Sequence, residues 1–186
     1  MAQPALPRAT YRDVLAAPPH VVAELVNGAL YTHPRPSTPH ALAAMALSEE
    51  LGPPFRRGRG GPGGWVLLPE PELHVGEDVL VPDLAGWRRE RMPKVPDAAY
   101  LELAPDWVCE ILSPSTEALD RGPKMAAYGR ASVSFAWLVD PADRALEAFL
   151  NEGGRWRPAG AWRGEVAVSA RPFEALALEL GALWQR

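Results

Sequence analysis

An almost unbroken apolar segment, Trp107–Leu112, carries a single charged residue, Glu110. A run of this length, rich in Val, Ile and Trp, predicts a strand that is buried on both faces near the centre of a sheet. A second apolar run, 134–139, follows after a helix-like segment. Two buried strands joined by a helix predict a strand–helix–strand unit. The chain is therefore expected to have a mixed α/β architecture, with helices packed on a central sheet.

Hairpins and short helices are predicted around this unit. Asn27-Gly28 separates the apolar runs 21–26 and 29–32 and predicts a tight hairpin. Ser37 or Thr38 can cap a helix that has Pro39 in its first turn and runs to about Leu51. Three further helices are predicted, over 10–17, near 98–103 and over 116–130, the last with an irregularity at Gly122-Pro123, and a short apolar helix is predicted at the end of the chain. Strands are predicted as a β-meander over 65–87 and a hairpin over 145–158. Residues 52–64 are predicted to lack regular structure.

Composition indicates one globular domain spanning 1–186. Of the 186 residues, 47% are hydrophobic and 23% charged, which suffices for a sizeable single core. No apolar run approaches the roughly 20 residues of a membrane helix, and the first residues lack the layout of a secretion signal. A cytoplasmic protein without membrane attachment is therefore expected.

The chain offers oxygen rather than sulfur ligands to a metal ion. Cys109 is the one cysteine, so an internal disulfide is excluded, and no Cys and His cluster has zinc-site spacing. The net charge of −4 argues against nucleic-acid binding over the whole surface, because phosphate binding relies on Lys and Arg contacts. A local basic patch stays compatible. Arg56, Arg57 and Arg59, in a Gly- and Pro-rich segment, are either contacts to a nucleic-acid backbone or simply solvated.

Two acids and a lysine form the candidate site. They are Asp83 after a short apolar run, Glu110 within the central strand and Lys124 on the following helix. A buried carboxylate is unfavourable unless it is paired or bound to a cation. Two acids brought together also repel each other, unless a divalent ion or a lysine lies between them. The series predicts a metal-dependent hydrolase site, and the alternative for Glu110 is a buried ion pair.

Other interpretations stay open for the single residues. A proline followed by Asp83 is commonly a turn. Lys124 lies one helical turn after Asp120 and one turn before Tyr128, so it could be a solvated side chain paired with Asp120. Glu24 lies in a short apolar run and is either a further site residue or the outward residue of a helix or edge strand.

Two common catalytic motifs are not supported. Ser113 and Ser115 lack the Gly-x-Ser-x-Gly pattern of a serine hydrolase and serve well as a turn and helix cap. The glycine-rich segment at 58–64 is not followed by the Lys and Ser or Thr of a phosphate-binding loop.

Six motifs together resemble the Uma2 family, formerly a domain of unknown function numbered 820 and a branch of the PD-(D/E)XK nuclease superfamily. They cover most of the chain from about Thr10 onward and are Glu-Leu-Val-Asn-Gly at 24–28, Pro-Ser-Thr-Pro-His at 36–40, Val-Pro-Asp at 81–83, Glu-Ile-Leu-Ser-Pro-Ser-Thr at 110–116, Asp-Arg-Gly-Pro-Lys at 120–124 and Trp-Leu-Val-Asp-Pro at 137–141. The resemblance implies a restriction-endonuclease-like core, a mixed sheet flanked by helices, and metal-dependent phosphodiester cleavage in nucleic acid, with DNA the expected partner.

The resemblance also implies residue roles. Asp83 and Glu110, with the backbone carbonyl of Ile111, would hold Mg²⁺ or Mn²⁺. Lys124 would orient the attacking water or neutralise charge on the phosphate. Glu24 would correspond to the superfamily's helical acid and serve a second ion or an outer-shell water.

Two positions add to or depart from this pattern. His40 matches a family position, although a histidine near a helix start is commonly a surface or capping residue. The superfamily places its lysine two residues after the second acid, where this chain has Leu112. The lysine's role would therefore pass to Lys124.

Two other functions remain open. A non-catalytic module that keeps the nuclease fold and binds nucleic acid or a protein partner is favoured by Leu112 and by the acidic net charge. Metal-dependent hydrolysis of a smaller phosphate compound is the weaker alternative. The apolar segment 176–184 either closes the core or forms the interface of a homodimer or higher oligomer.

Overall fold

The computed structural model describes residues 8–185, and the structural statements below concern this part of the chain. Its helices are α1 (Tyr11–Leu15), α2 (Thr38–Leu51), α3 (Glu117–Leu119) and α4 (Met125–Arg130), with π-helical turns at Gly52–Arg56 and Asp120–Lys124 and a 3₁₀ turn at Leu180–Trp184. Its strands are β1 (Val21–Val26), β2 (Ala29–Pro34), β3 (Trp65–Pro69), β4 (Leu73–Val75), β5 (Asp78–Leu80), β6 (Leu84–Arg88), β7 (Trp107–Ile111), β8 (Phe135–Asp140), β9 (Ala145–Glu152), β10 (Arg155–Arg163), β11 (Ala167–Val168) and β12 (Leu178–Glu179).

The strands form two main sheets. A six-stranded sheet has the order β10-β9-β8-β7-β6-β3, and a four-stranded sheet has the order β2-β1-β5-β4. Within the larger sheet β7 and β8 are parallel and the other pairs are antiparallel. The mixed sheet and the strand–helix–strand unit predicted from 107 to 139 are confirmed.

The central strand β7 presents its two faces to different parts of the core. Trp107, Cys109 and Ile111 pack in the cluster beneath α2 and the C-terminal segment. Val108 and Leu112 pack in the cluster beneath α4. Since side chains alternate along a strand, Glu110 shares the face of Val108 and Leu112, as the sequence predicted.

An aromatic cluster fixes β7 against its neighbours. The ring centroid of Phe173 lies 4.9 Å from those of Trp65 and Trp107 and 5.5 Å from that of Trp137. These rings are almost fully buried, and each buried aromatic stabilises the fold by about 1.5–3 kcal/mol through area removed from water. The strand that carries Glu110 is therefore held on a rigid support.

Two predictions for the first part of the chain are confirmed, the tight turn between β1 and β2 and the helix α2. Asn27 and Gly28 form the predicted turn between β1 and β2, with φ values of 54° and 75°. Positive φ at both positions is what a tight hairpin of this type needs. Helix α2 begins at Thr38 and ends at Leu51, as predicted.

The four strands predicted between 65 and 87 are confirmed, but their predicted pairing as one β-meander is wrong. β3 pairs with β6 in the large sheet, while β4 and β5 pair with each other. β5 then joins the small sheet by pairing its Val79 with Leu25 of β1. The reason is that β5 is buried on both faces, so it packs inside the small sheet, and residues 81–83 carry the chain from one sheet to the other.

The segment predicted to lack regular structure does so at 57–64 but not at 52–56, and the helix predicted near 98–103 is wrong. Residues 52–56 continue α2 as a π-helical turn, because Pro54 and Phe55 are buried beneath it. Residues 98–103 form no helix and instead run past β4, with one bridge between Leu101 and Leu73.

The second half of the chain follows its predictions more closely. The helix over 116–130 forms as α3, a π-helical turn and α4, and the irregularity lies at Pro123 inside the π-helical turn, where proline supplies no backbone donor. The hairpin β9–β10 forms and extends to Arg163. Leu180 and Leu183 of the final turn are buried, so the terminal segment closes the core. Within residues 8–185 no helix has the length and apolar character needed to cross a membrane.

Candidate active site

The predicted site residues meet where the two sheets approach each other. Residues 81–83 link β5 of the small sheet to β6 of the large sheet, and Asp83 lies at the end of this link. Glu24 comes from β1, Glu110 from β7 and Lys124 from the π-helical turn before α4. Four side chains that are distant in sequence thus line or support one cavity.

Lys124 forms ion pairs with three carboxylates of this site. Its Nζ lies 3.0 Å from Oε1 of Glu24, 2.9 Å from Oε1 of Glu110 and 3.4 Å from Oδ1 of Asp120, and the side chain is only 2% exposed. Burial alone would lower the pKa of Lys124, but the carboxylates of Glu110 and Glu24 outweigh it and hold that pKa well above its ordinary value. The pairing with Asp120 exists, whereas the interpretation as a solvated lysine is wrong.

Glu110 is buried and carries the proton more readily than an ordinary glutamate. Its Oε1 accepts a hydrogen bond of 2.5 Å from the hydroxyl of Tyr128, in addition to the contact with Lys124. Burial raises the pKa of Glu110 well above its usual range, Lys124 offsets part of this, and the nearby Asp120 and Asp83 add to the rise. A further positive charge in the cavity would therefore stabilise the ionised form.

Asp83 faces β7 from the link between the sheets. Its Oδ2 accepts a hydrogen bond of 2.6 Å from the backbone N–H of Ile111. Nε2 of His40 lies 3.1 Å from the carboxylate oxygens. Asp83 is only partly exposed and is held in place from both sides.

His40 is a buried residue in the first turn of α2. Burial lowers its pKa, but the hydrogen bond and charge of Asp83 more than offset this and the pKa is raised overall. Its Nδ1 has no hydrogen-bond partner within residues 8–185. The interpretation of His40 as a surface or capping histidine is therefore wrong, and its contact is with the candidate ligand Asp83.

Glu24 lies on a strand, so the expected match to a helical acid is wrong in its secondary structure. It is also fully buried, which excludes the outward-facing interpretation. Its Oε1 accepts from the Val81 N–H at 2.7 Å as well as from Lys124, and its Oε2 lies 3.3 Å from Nε2 of His33. Burial alone would raise the pKa of Glu24, but the charge of Lys124 and the hydrogen bond with His33 more than offset this, so its pKa is lowered overall. Each oxygen of Glu24 already has a protein partner.

The cavity in front of these residues has a volume of about 240 Å³. Besides the predicted residues it is lined by His33, Arg35, Glu70, Ser113 and Thr116. The sequence interpretation missed Glu70, which has a φ of 44° and donates its N–H to the carbonyl of Asp83 at 3.1 Å. A non-glycine residue in the left-handed region is strained and is enriched near functional sites. The only sequence signal for it is an acid directly before a proline.

The donor set suits a hard divalent cation. Within residues 8–185 no group of three or more His, Cys, Asp and Glu side chains is placed to hold a metal ion. Mg²⁺ commonly takes only one or two carboxylates and fills its other positions with water and substrate phosphate. Asp83 and Glu110 provide two carboxylates in one cavity, whereas Ile111 is not among its lining residues, so its carbonyl as a third ligand stays a prediction. The raised pKa of Glu110 also fits a site that gains from a bound cation.

Arg56, Arg57 and Arg59 do not line this cavity. All three are exposed. The structure thus separates them from the catalytic candidates.

Comparison with known proteins gave a family and a fold. The Uma2 family model, described as "Putative restriction endonuclease", matches residues 9–181. A solved structure described as "a putative nuclease belonging to DUF820 from Anabaena variabilis ATCC 29413" has a TM-score of 0.73 and 20% identity, covering 94% of this chain and 97% of that chain. No match was found among curated proteins. The structural likeness confirms the predicted restriction-endonuclease-like fold.

Proposed function

The chain belongs to the Uma2 family of restriction-endonuclease-like proteins, and we propose that it is a Mg²⁺- or Mn²⁺-dependent nuclease that hydrolyses phosphodiester bonds in DNA. One observation carries this proposal: Asp83, Glu110 and Lys124 meet in a single cavity although they come from three separate elements. A purely structural ion pair would not require a second acid at the mouth of the same cavity. A cytoplasmic setting and a homo-oligomeric state stay predictions from the sequence, and the terminal segment suggested as an interface is buried in the core.

Asp83 and Glu110, with the carbonyl of Ile111, would hold the metal ion. When bound, the ion polarises the scissile phosphate and lowers the pKa of a water molecule. Asp83 is suited to this role because its carboxylate is fixed by the Ile111 N–H and by His40. Glu110 is suited because the hydroxyl of Tyr128 orients its Oε1.

Lys124 would compensate charge and position the carboxylates. An ammonium group has three N–H donors, and four oxygen atoms surround this one, those of Glu24, Glu110, Asp120 and the Val81 carbonyl. Its donors are therefore engaged within the protein. In this proposal Lys124 holds Glu110 in place and lowers the repulsion between the acids, so that negative charge developing on the phosphate is better tolerated.

The proposal is tested by cleavage of plasmid and single-stranded DNA with Mg²⁺ or Mn²⁺. Asp83→Ala should abolish cleavage. Asp83→Asn should also abolish it, with little change in thermal unfolding, because its amide oxygen still accepts from the Ile111 N–H. Asp97→Asn is the matched control, since Asp97 is exposed and lies outside the cavity. If Asp83→Ala retains full metal-dependent activity, the assignment is wrong.

A second candidate function is a non-catalytic module that keeps the fold. It is supported by Leu112, which is buried in the core at the position where the superfamily has its lysine, and by the engagement of Glu110 with Tyr128 and Lys124. A binding module need not take up metal at the acids, so a titration with Mn²⁺ separates the two functions.

A further inference from the structure

A second cavity, of about 410 Å³, lies beside the candidate active site. It runs between the C-terminal half of α2 with its π-helical turn on one side and strands β3 and β6 on the other. We call it the α2 groove, and the lining residues used below are Met45, Arg56, Arg57, Leu67, Pro69 and Leu84.

The α2 groove begins where the active-site cavity ends. Pro69 lines the groove and the next residue, Glu70, lines the active-site cavity. In the same way Asp83 lines the active-site cavity and the next residue, Leu84, lines the groove. Since Pro69 and Leu84 are paired across β3 and β6, the two cavities share one boundary. A single strand bound at Asp83 would continue into the groove over several nucleotides, because Arg56 lies sixteen residues after His40 along a helical segment that rises about 1.5 Å per residue.

The groove combines apolar walls with positive charge. Met45, Leu67 and Leu84 provide apolar surface, and Met45 is 56% exposed. Within the described part of the chain, neither Arg56 nor Arg57 has a carboxylate within 4.0 Å, so both guanidinium groups are available to a ligand.

Two other charged side chains, Glu49 and Arg59, bear on where the groove can bind an anion. Glu49 is the one acid among the lining residues, and its negative charge offsets part of the attraction of the two arginines for a phosphate. Arg59, the third arginine of the Gly- and Pro-rich segment, is not part of the lining. The charge therefore favours an anion near Arg56 and Arg57 alone.

We propose that the α2 groove binds the part of a single strand that flanks the scissile phosphate, an inference that rests on the proposed nuclease function. The apolar walls contact the base or sugar, and Arg56 and Arg57 contact the phosphate. The volume lies in the range of about 300–1,000 Å³ that is usual for small-ligand pockets. In a duplex the bases are stacked and paired, so only an unpaired nucleotide can enter an apolar groove.

The test is binding of a fluorescent single-stranded DNA of about 12 nucleotides, a length within the range bound by single-strand-binding folds, measured by anisotropy in EDTA at several salt concentrations. Arg56→Ala/Arg57→Ala should weaken binding and reduce the slope of log affinity against log salt by about 1.4, since each phosphate contact contributes about 0.7 for single strands. Arg56→Lys/Arg57→Lys should restore most of the slope, because lysine also binds phosphate as a point charge.

The control is Arg12→Ala/Arg155→Ala, which removes the same charge from two exposed residues outside the groove. It should leave the slope unchanged. An unchanged slope for Arg56→Ala/Arg57→Ala, or equal binding of a duplex of the same sequence, would overturn the inference. Binding of a protein partner at the groove without any oligonucleotide binding would overturn it as well.

The two proposals fail in different ways. If the wild-type chain shows no metal-dependent cleavage but Arg56→Ala/Arg57→Ala loses single-strand binding, the nuclease proposal fails and the groove remains a nucleotide site. If the wild-type chain cleaves DNA and the double variant binds and cleaves as the wild type does, the groove inference fails alone.

Discussion

Replacing Lys124 with methionine should lower the free energy of unfolding, because three buried acids lose the cation that they share. Lys124 is 2% exposed and is the shared cation of Glu24, Glu110 and Asp120. Methionine has a similar length and an unbranched stem, so the change removes the charge and leaves little empty volume. The carboxylates then lie buried without their main positive partner.

The expected loss of stability is large. Breaking a buried ion pair by removing one partner typically destabilises a protein by about 3–5 kcal/mol. For a chain of this size each kcal/mol lowers the melting temperature by about 2–4 °C, which gives a decrease of about 6–20 °C.

The loss should also depend on pH. The pKa values of Glu110 and Asp120 are already raised by burial, and removal of Lys124 raises them further. Because the folded variant then binds protons that the unfolded chain releases, the variant gains stability as the pH falls from about 8 towards about 5. Thermal and urea unfolding in EDTA measure this directly. Lys94→Met is the matched control, since Lys94 is exposed.

A double variant tests the cause of the loss. Lys124→Met/Glu110→Gln removes one buried charge and should recover part of the lost stability. If Lys124→Met destabilises by less than about 1 kcal/mol, the scale of a surface ion pair, or if the double variant is no more stable than the single one, the reasoning is refuted.

Three further predictions concern the supports of the site. His40→Ala removes the hydrogen bond to Asp83 and should weaken Mn²⁺ binding by about 10–100-fold, as is usual for residues that orient a ligand, which calorimetry would measure; unchanged affinity would argue against this role. Phe173→Ala opens a cavity in the aromatic cluster and should destabilise the fold by about 3–5 kcal/mol in urea unfolding, whereas a value under about 1 kcal/mol would contradict the packing described. Gly28→Ala places a side chain at a φ of 75° and should destabilise by about 1–2 kcal/mol, and no effect would mean that the turn relaxes.

Features set by neighbouring residues could be predicted from the sequence. The turn at Asn27-Gly28 follows from residues that tolerate positive φ, and the face of Glu110 follows from strand alternation. The irregularity at Gly122-Pro123 was predictable for the same reason, since Pro123 has no backbone N–H and disturbs the helix locally. These elements need no knowledge of distant partners.

Features set by distant residues could not be predicted in the same way. The pairing of β3 with β6 depends on where β4 and β5 find their partners, and β5 pairs with β1 through Leu25, far earlier in the chain. The contacts of Glu24 with Lys124 and His33 are equally non-local, so an acid in a short apolar run allowed two interpretations.

The most direct test of the central claim is a calorimetric titration of the wild-type chain with Mn²⁺, repeated for Asp83→Asn, Glu110→Gln and the exposed control Asp97→Asn. Mn²⁺ should bind the wild type and Asp97→Asn with equal affinity, and binding should be lost in Asp83→Asn and Glu110→Gln while the thermal unfolding of Asp83→Asn stays close to that of the wild type. Absence of Mn²⁺ binding by the wild type, or unchanged binding by Asp83→Asn, would contradict a metal-dependent site at these two acids.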